Sequence, residues 1–333
     1  MTRQPYTEAI RERVIVFDGA FGTFVQGLDL GPEDFGGPSL EGCNEMLAIT
    51  RPDVIEAMHR AFLDAGVDAV ETASFGSFST VLAEYDIPER AHELNVAAAS
   101  IARRVCDEYE QKDGRPRYVA GSIGPGTKLP SLGHISFAEL RDAYVEQAQG
   151  LIEGGCDLFL IETCMDLLQI KAAMQACRRA MAITGKQIPI QVQVTMETTG
   201  RMLVGTEIGA AYVALVAMKP DAIGINCATG PAEMQEHLRY LSEHSQIPVS
   251  VLPNAGLPSV VNGRTHYDLT PGQLAEFHRH HVADLGIGIV GGCCGTTPEH
   301  LKAVVEAVRG ITPKKREPVV EPSVTSLYSP VTI

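Results

Sequence analysis

Eight short apolar runs punctuate the chain: "VIVF" (14–17), "VDAVET" (67–72), "YVAGSIG" (118–124), "DLFLIET" (157–163), "IPIQVQVT" (188–195), "DAIGIN" (221–226), "IPVSVLP" (247–253) and "IGIVGG" (287–292). They are nearly continuous in Val, Ile and Leu, the pattern of parallel strands covered on both faces. Between them lie longer stretches with helix start and stop signals. "RPDVIEAMHRAFLDAG" has Pro52 in its first turn and ends at Gly66; "ISFAELRDAYVEQAQGLIEGG" begins after Ser136 and ends in glycines. "TTPEHLKAVVEAVRG" offers Thr297 as N-cap, Pro298 at the first helical position and Gly310 as the stop. Eight strand–helix units predict a (β/α)8 TIM barrel in the α/β class. The alternative, a doubly wound open sheet, calls for a G-x-G-x-x-G turn after an early strand, and none opens a helix here. After Gly310 the period disappears. "ITPKKREPVVEPSVTSLYSPVTI" carries four prolines and reads as a linker or tail, so the expected division is a barrel over 1–310 and a Pro-rich linker over 311–333.

Composition narrows the class. A chain of 333 residues buries enough surface to fold without disulfide staples. A net charge of −14 argues against a nucleic-acid groove or an anionic membrane surface. No apolar run approaches the ~20 residues of a membrane span, and no signal-peptide segment precedes the first run. The eight cysteines are scattered, which points to the reducing cytoplasm. Cys106 and Cys177 fall within helical patterns as small apolar residues.

In a barrel of this kind the strand C-termini converge on one face. There the sequence places "FDGAFGT", "ETASF", "IETCMD", "GINCATGP", "LPNAG" and "VGGCCGTT". Cys293 and Cys294 are adjacent, and neighbouring Cα atoms about 3.8 Å apart are too close for the usual disulfide. With Cys227 they form a set of three strand-end thiols. Three thiolates supply three corners of a tetrahedral zinc site and leave the fourth for water or substrate. A glycine-rich phosphate cradle is the rival reading of "GGCCGTT", but it gives no reason for thiols. Cys43 and Cys164 rank lower as third ligands. Asp18 and Glu162, with the backbone amides of Gly19, Ala20 and Phe21, suit the two charged ends of an amino acid. Asn226 and Asn254 are strand-end amides, either spacers or substrate contacts; Glu71 and Thr72 are weaker candidates. His266 and the run His278–Arg279–His280–His281 read as a solvated loop and helix face.

"FDGAFGT", "IETCMD", "GINCATGP", "PNAGLP" and "GGCCGTTPEH" resemble, in order and across residues 8–310, the signature segments of the homocysteine S-methyltransferase family. The resemblance implies that Cys227, Cys293 and Cys294 are zinc ligands and act catalytically through the metal. It also implies that Asp18 and Glu162 contact the homocysteine amino group, and that a homocysteine thiolate takes up a methyl group to give methionine. The match is nearest to the homocysteine module of the multidomain, cobalamin-dependent members. There the donor is methylcobalamin and the partners are cobalamin-binding and folate-binding domains. "SLYSPVTI" resembles the start of the folate domain, and no D-x-H-x-x-G cobalamin motif is present. Phe21 stands where the family often has methionine, a difference in packing. Two other readings stay open. One is a free-standing methyltransferase using betaine or S-methylmethionine. The other is a scaffold whose zinc is structural, closed by Cys164 or a histidine.

Overall fold

The computed structural model describes residues 3–261 and 263–333. Eight parallel strands form the barrel: β1 (Ile15–Val16), β2 (Ala69–Glu71), β3 (Tyr118–Ile123), β4 (Leu158–Cys164), β5 (Ile190–Val194), β6 (Ala222–Asn226), β7 (Val249–Leu252) and β10 (Ile289–Val290). Their ladder runs β1-β10-β7-β6-β5-β4-β3-β2, and a Phe17–Ala69 bridge closes the ring. Each barrel strand falls within one of the eight apolar runs, except that β4 extends one residue past its run, to Cys164. The hairpin β8 (Pro258–Val261) and β9 (Arg264–Tyr267) projects from the loop after β7.

The helices are α1 (Tyr6–Glu12), α2 (Phe21–Gln26), α3 (Leu47–Thr50), α4 (Pro52–Ala65), α5 (Ser79–Leu82), α6 (Ala91–Asp113), α7 (Phe137–Gly154) and α8 (Leu167–Thr184). They continue with α9 (Ile208–Val216), α10 (Gln235–His244), α11 (Pro271–Ala283) and α12 (Pro298–Val308). An outer helix follows every barrel strand: α4, α6, α7, α8, α9, α10, α11 and α12 in turn. Their ends obey local chemistry. The Ser136 side chain accepts from the Glu139 amide while Glu139 reaches back to the Ser136 amide, a closed capping box for α7. Gly66 ends α4 in the left-handed region, at φ +99°.

Strand parity divides the core. Val70, Val119, Phe159, Ile161, Val192, Ile223, Ile225 and Val251 belong to the large cluster that joins sheet to helices. Ile15, Phe17, Ala69, Tyr118, Ala120, Leu158, Leu160 and Ala222 fill a second cluster inside the ring, sealed by Tyr6 and Ile10 of α1. Because side chains alternate along a strand, Glu71, Ser122, Glu162 and Asn226 share the inward face with those residues. Parity also requires Gly224, where a Cβ would collide with the Ser250 hydroxyl and carbonyl on β7.

Two expectations change on folding. His278 and His281, expected on a solvated face, are buried, because α11 turns Leu274, His278, His281 and Val282 toward the barrel as one helical stripe. His278 Nε2 donates to the Gly291 carbonyl (2.7 Å), and His281 Nε2 meets Gln235 Nε2 (3.0 Å). Only Arg279 and His280 of that run lie on the outer face. The Pro-rich segment is also more ordered than its lack of period suggests. Arg316 donates to the carbonyls of Ser245 and Ile247, each at 2.7 Å, and the Val319 amide to Glu243 O. The segment then forms the hairpin β11 (Ser323–Thr325) and β12 (Pro330–Thr332), and Tyr328 O accepts from the Glu207 amide at the start of α9 (2.9 Å).

Replacing Gly224 by Ala tests the parity account. The forced overlap with Ser250 backbone is expected to cost about 2–3 kcal/mol or more in urea unfolding at unchanged m-value. A cost below ~0.5 kcal/mol would show that β6 and β7 are not held at this separation.

Candidate metal centre and adjoining cavity

Three loops build the thiol cluster. Cys227 follows the last residue of β6 and takes a left-handed backbone, φ +60°, as does Ala228 at +59°. Cys293 and Cys294 follow β10 in the turn before α12. The loop after β7 holds both pieces. The Cys293 amide donates to Pro253 O (2.8 Å), the Cys294 amide to Asn254 Oδ1 (3.1 Å) and the Cys227 amide to Leu252 O (3.2 Å). The three sulfurs all lie within 4.8 Å of one another, with Cys227 Sγ and Cys294 Sγ 3.8 Å apart. They are the one such cluster of His, Cys, Asp and Glu ligand atoms among the described residues. Hydrogen bonds from the Cys227 and Cys293 thiols pull the Cys294 thiol down to about 3, so negative charge gathers on Cys294. The Tyr267 ring, carried by β9, packs over Gly295, whose φ of +80° and lack of a Cβ make room for it.

The cluster opens into a cavity of about 300 Å³ at the C-terminal mouth of the barrel. Its wall includes Ala20, Phe21, Ser122, Phe75, Thr163 and Tyr267, together with Glu45, Glu71 and Glu162. Among the described residues, no lysine, arginine or histidine side chain lines it. Glu162 is 4% exposed and fixed on both oxygens. Ser122 Oγ donates to Oε1 at 2.6 Å and Asn226 Nδ2 to Oε2 at 3.1 Å. Burial raises this carboxyl to about 7, against the lowering effect of the Ser122 bond. Asn226 also accepts from the Thr163 amide (2.8 Å) and donates to its hydroxyl (2.9 Å). That brace holds Thr163 at φ +57°, a conformation that β-branched residues rarely adopt.

The structure sorts the residues singled out in the sequence. Cys227, Cys293 and Cys294 meet. Glu162, Ala20, Phe21, Glu71 and Thr72 line the cavity with them. Asp18, Gly19, Asn226 and Asn254 lie behind its wall. Both Asp18 oxygens accept from the Glu71 amide, at 3.2 and 3.1 Å, and burial beside Glu162 raises its carboxyl well above the usual range. Gly19 sits where a Cβ would press on Thr296. Cys43 is buried 4.0 Å from Glu45 Oε2, and Cys164 Sγ faces Glu162 O at 3.3 Å, so neither reaches the cluster. His266 is exposed and pairs with Asp268 at 3.0 Å. Ser122, Thr163 and Tyr267 were not singled out in the sequence. The strand-end rule points to the first two, whereas Tyr267 arrives from a hairpin that has no strand-end signal.

Residues 15–308 match the model of the homocysteine S-methyltransferase family. The chain belongs to that family of methyltransferases. It is 53% identical over 324 residues to the methionine synthase of Mycobacterium tuberculosis and 52% over 329 residues to that of Mycobacterium leprae. Each alignment covers 97% of this chain, which spans about a quarter (27%) of the length of these curated relatives. Among solved structures, the metallated homocysteine methyltransferase MmuM of Escherichia coli superposes with a TM-score of 0.72 at 21% identity, covering 88% of this chain and 96% of that one. Its apo form superposes at 0.66. The matched span, residues 15–308, contains the eight barrel strands and the positions of Cys227, Cys293 and Cys294. No helix among the described residues is long and apolar enough to cross a membrane.

The crowded carboxylates of this family member give a pH signature. Glu162 titrates near 7 when folded and near 4.5 when unfolded, so between those values the folded state binds more protons. Metal-free protein is therefore expected to lose stability as pH rises from about 4.5 to about 7, by at most ~3 kcal/mol from this group. Glu162→Gln should flatten that part of the profile in denaturant unfolding. An unchanged slope would mean that Glu162 is ionised throughout.

Proposed function

We propose that this chain is the homocysteine-activating module of a methionine-synthase-type enzyme, with Cys227, Cys293 and Cys294 as zinc ligands. The observation that carries this reading is the convergence of three soft sulfur donors beside an open cavity lined by three glutamates. The donor set suits zinc rather than magnesium or calcium, and three protein ligands with an adjoining cavity is the pattern of a reactive site rather than a closed structural one. Bound there, zinc would supply Lewis acidity that lowers the pKa of a substrate thiol from its ordinary ~8.5.

The chain's own residues do the rest. Glu162, oriented by Ser122 and Asn226, receives the substrate ammonium in a setting where water is scarce and an opposite charge counts for most. Ala20 and Phe21, at the start of α2, line the part of the cavity where we place the substrate carboxylate. Asp18 holds the β2 terminus from behind. Tyr267 and Phe75 cover the cavity and limit water. The sulfur then faces the mouth, where its lone pair forms the new S–C bond while the bond from methyl to donor breaks and leaves its electrons on the donor. In the full-length protein we infer methylcobalamin as that donor, carried by a cobalamin-binding domain, with a folate-binding domain following the 311–333 segment. The eight unpaired cysteines favour a reducing, cytoplasmic setting. Alignment of 97% of this chain to part of two methionine synthases, at 52–53% identity, favours this reading over a free-standing enzyme using betaine or S-methylmethionine. The cavity beside the thiols disfavours a scaffold with structural zinc.

Three measurements test the reading. The wild-type chain should bind one zinc and Cys293→Ser much less; full occupancy in that variant would remove Cys293 as a ligand. Calorimetry of zinc-loaded protein in buffers of differing ionisation enthalpy should show close to one proton released per homocysteine at pH 7, fading above about pH 8.5. A pH-independent value near zero would refute thiol activation. Glu162→Gln should weaken homocysteine binding by about tenfold or more and leave the zinc content intact. Equal affinity in the variant would strip Glu162 of its role.

A further inference from the structure

We propose that Glu71 is a second anchor for the substrate ammonium and the residue that makes the site demand an amino group. This rests on the homocysteine reading above. Glu71 is the last residue of β2, and strand parity turns it inward onto the cavity. Its Oε1 is buried and has no hydrogen-bond partner among the described residues. A carboxylate oxygen withdrawn from water and left without a donor is costly, so a ligand that brings one is favoured.

The neighbouring acids are already engaged. Asp18 spends both oxygens on the Glu71 amide and does not line the cavity, so it steadies the Glu71 backbone rather than reaching the ligand. Glu45 accepts from the Gly76 amide at 2.8 Å and lies beside the Cys43 thiol. Glu162 already takes one donor on each oxygen. An ammonium carries three N–H donors. Glu162 satisfies one with a remaining lone pair, and the Glu71 carboxyl, which lines the cavity and has an unpartnered oxygen, offers an acceptor for another. No cationic side chain in the described wall competes for it. The sequence ranks Asp18 above Glu71, whereas the geometry gives Asp18 a supporting place and Glu71 the contact.

The test uses the zinc-loaded chain and two thiols, L-homocysteine and 4-sulfanylbutanoate, which keeps the thiol and carboxylate and replaces the amino group by hydrogen. Wild type should prefer homocysteine. Glu71→Gln should weaken homocysteine binding by about tenfold or more and leave 4-sulfanylbutanoate within about twofold, so that the preference collapses. Equal weakening of both thiols would mean a structural role and overturn the proposal, as would no change in either. If Glu71→Gln does not fold, Glu71→Asp carries the same comparison, since it keeps the charge but draws it back by one methylene. Failure of wild type to bind homocysteine would instead defeat the functional reading itself, a result distinct from wild-type preference that survives the Glu71 change.

Discussion

The mouth of this barrel is organised by uncompensated negative charge. Three glutamates and three cysteines face one small cavity, and no described cationic side chain faces them. Burial makes that arrangement unfavourable for an empty site, which is why the Glu71 and Glu162 carboxyls are pushed up and why one thiol of three gathers the charge. The same imbalance is an affinity for cations. The proposed zinc at one end and the ammonium of the proposed homocysteine at the other would each bring the missing positive charge.

Strand parity delivers the charge to that point. The ring closes only if each strand keeps its two-residue alternation, and the tight β6–β7 approach at Gly224 shows how little slack the register has. Glu71, Ser122, Glu162 and Asn226 each stand an even number of positions from an interior apolar residue of the same strand. A one-residue slip would send all of one strand's functional groups among the helices.

This explains what was legible in the sequence. The apolar runs, the helix caps at Ser136 and Thr297 and the convergence of Cys227 with Cys293 and Cys294 follow from local period and the barrel's geometry. Groups that depend on a three-dimensional partner were harder to read. Asp18 reads as a substrate contact in the sequence, and its acceptance from the Glu71 amide is visible only in the fold. His278 and His281 look solvated until α11 is turned, since a histidine on the inward stripe carries the same letter as one outside. Tyr267 comes from a hairpin whose position no strand-end rule specifies. The 311–333 segment has no period because its order comes from carbonyls elsewhere, chiefly those that hold Arg316.

The left-handed backbones at Thr163, Cys227 and Ala228 have a consequence for how such a protein can change. Each holds conformational energy that a glycine would release, yet Thr163 and Cys227 both project side chains at the mouth. Thermal robustness and the aim of those groups are therefore set against one another at the same backbone torsions. A lineage drifting toward greater heat resistance has to find its gains elsewhere, among outer helices and loops, while these turns stay strained.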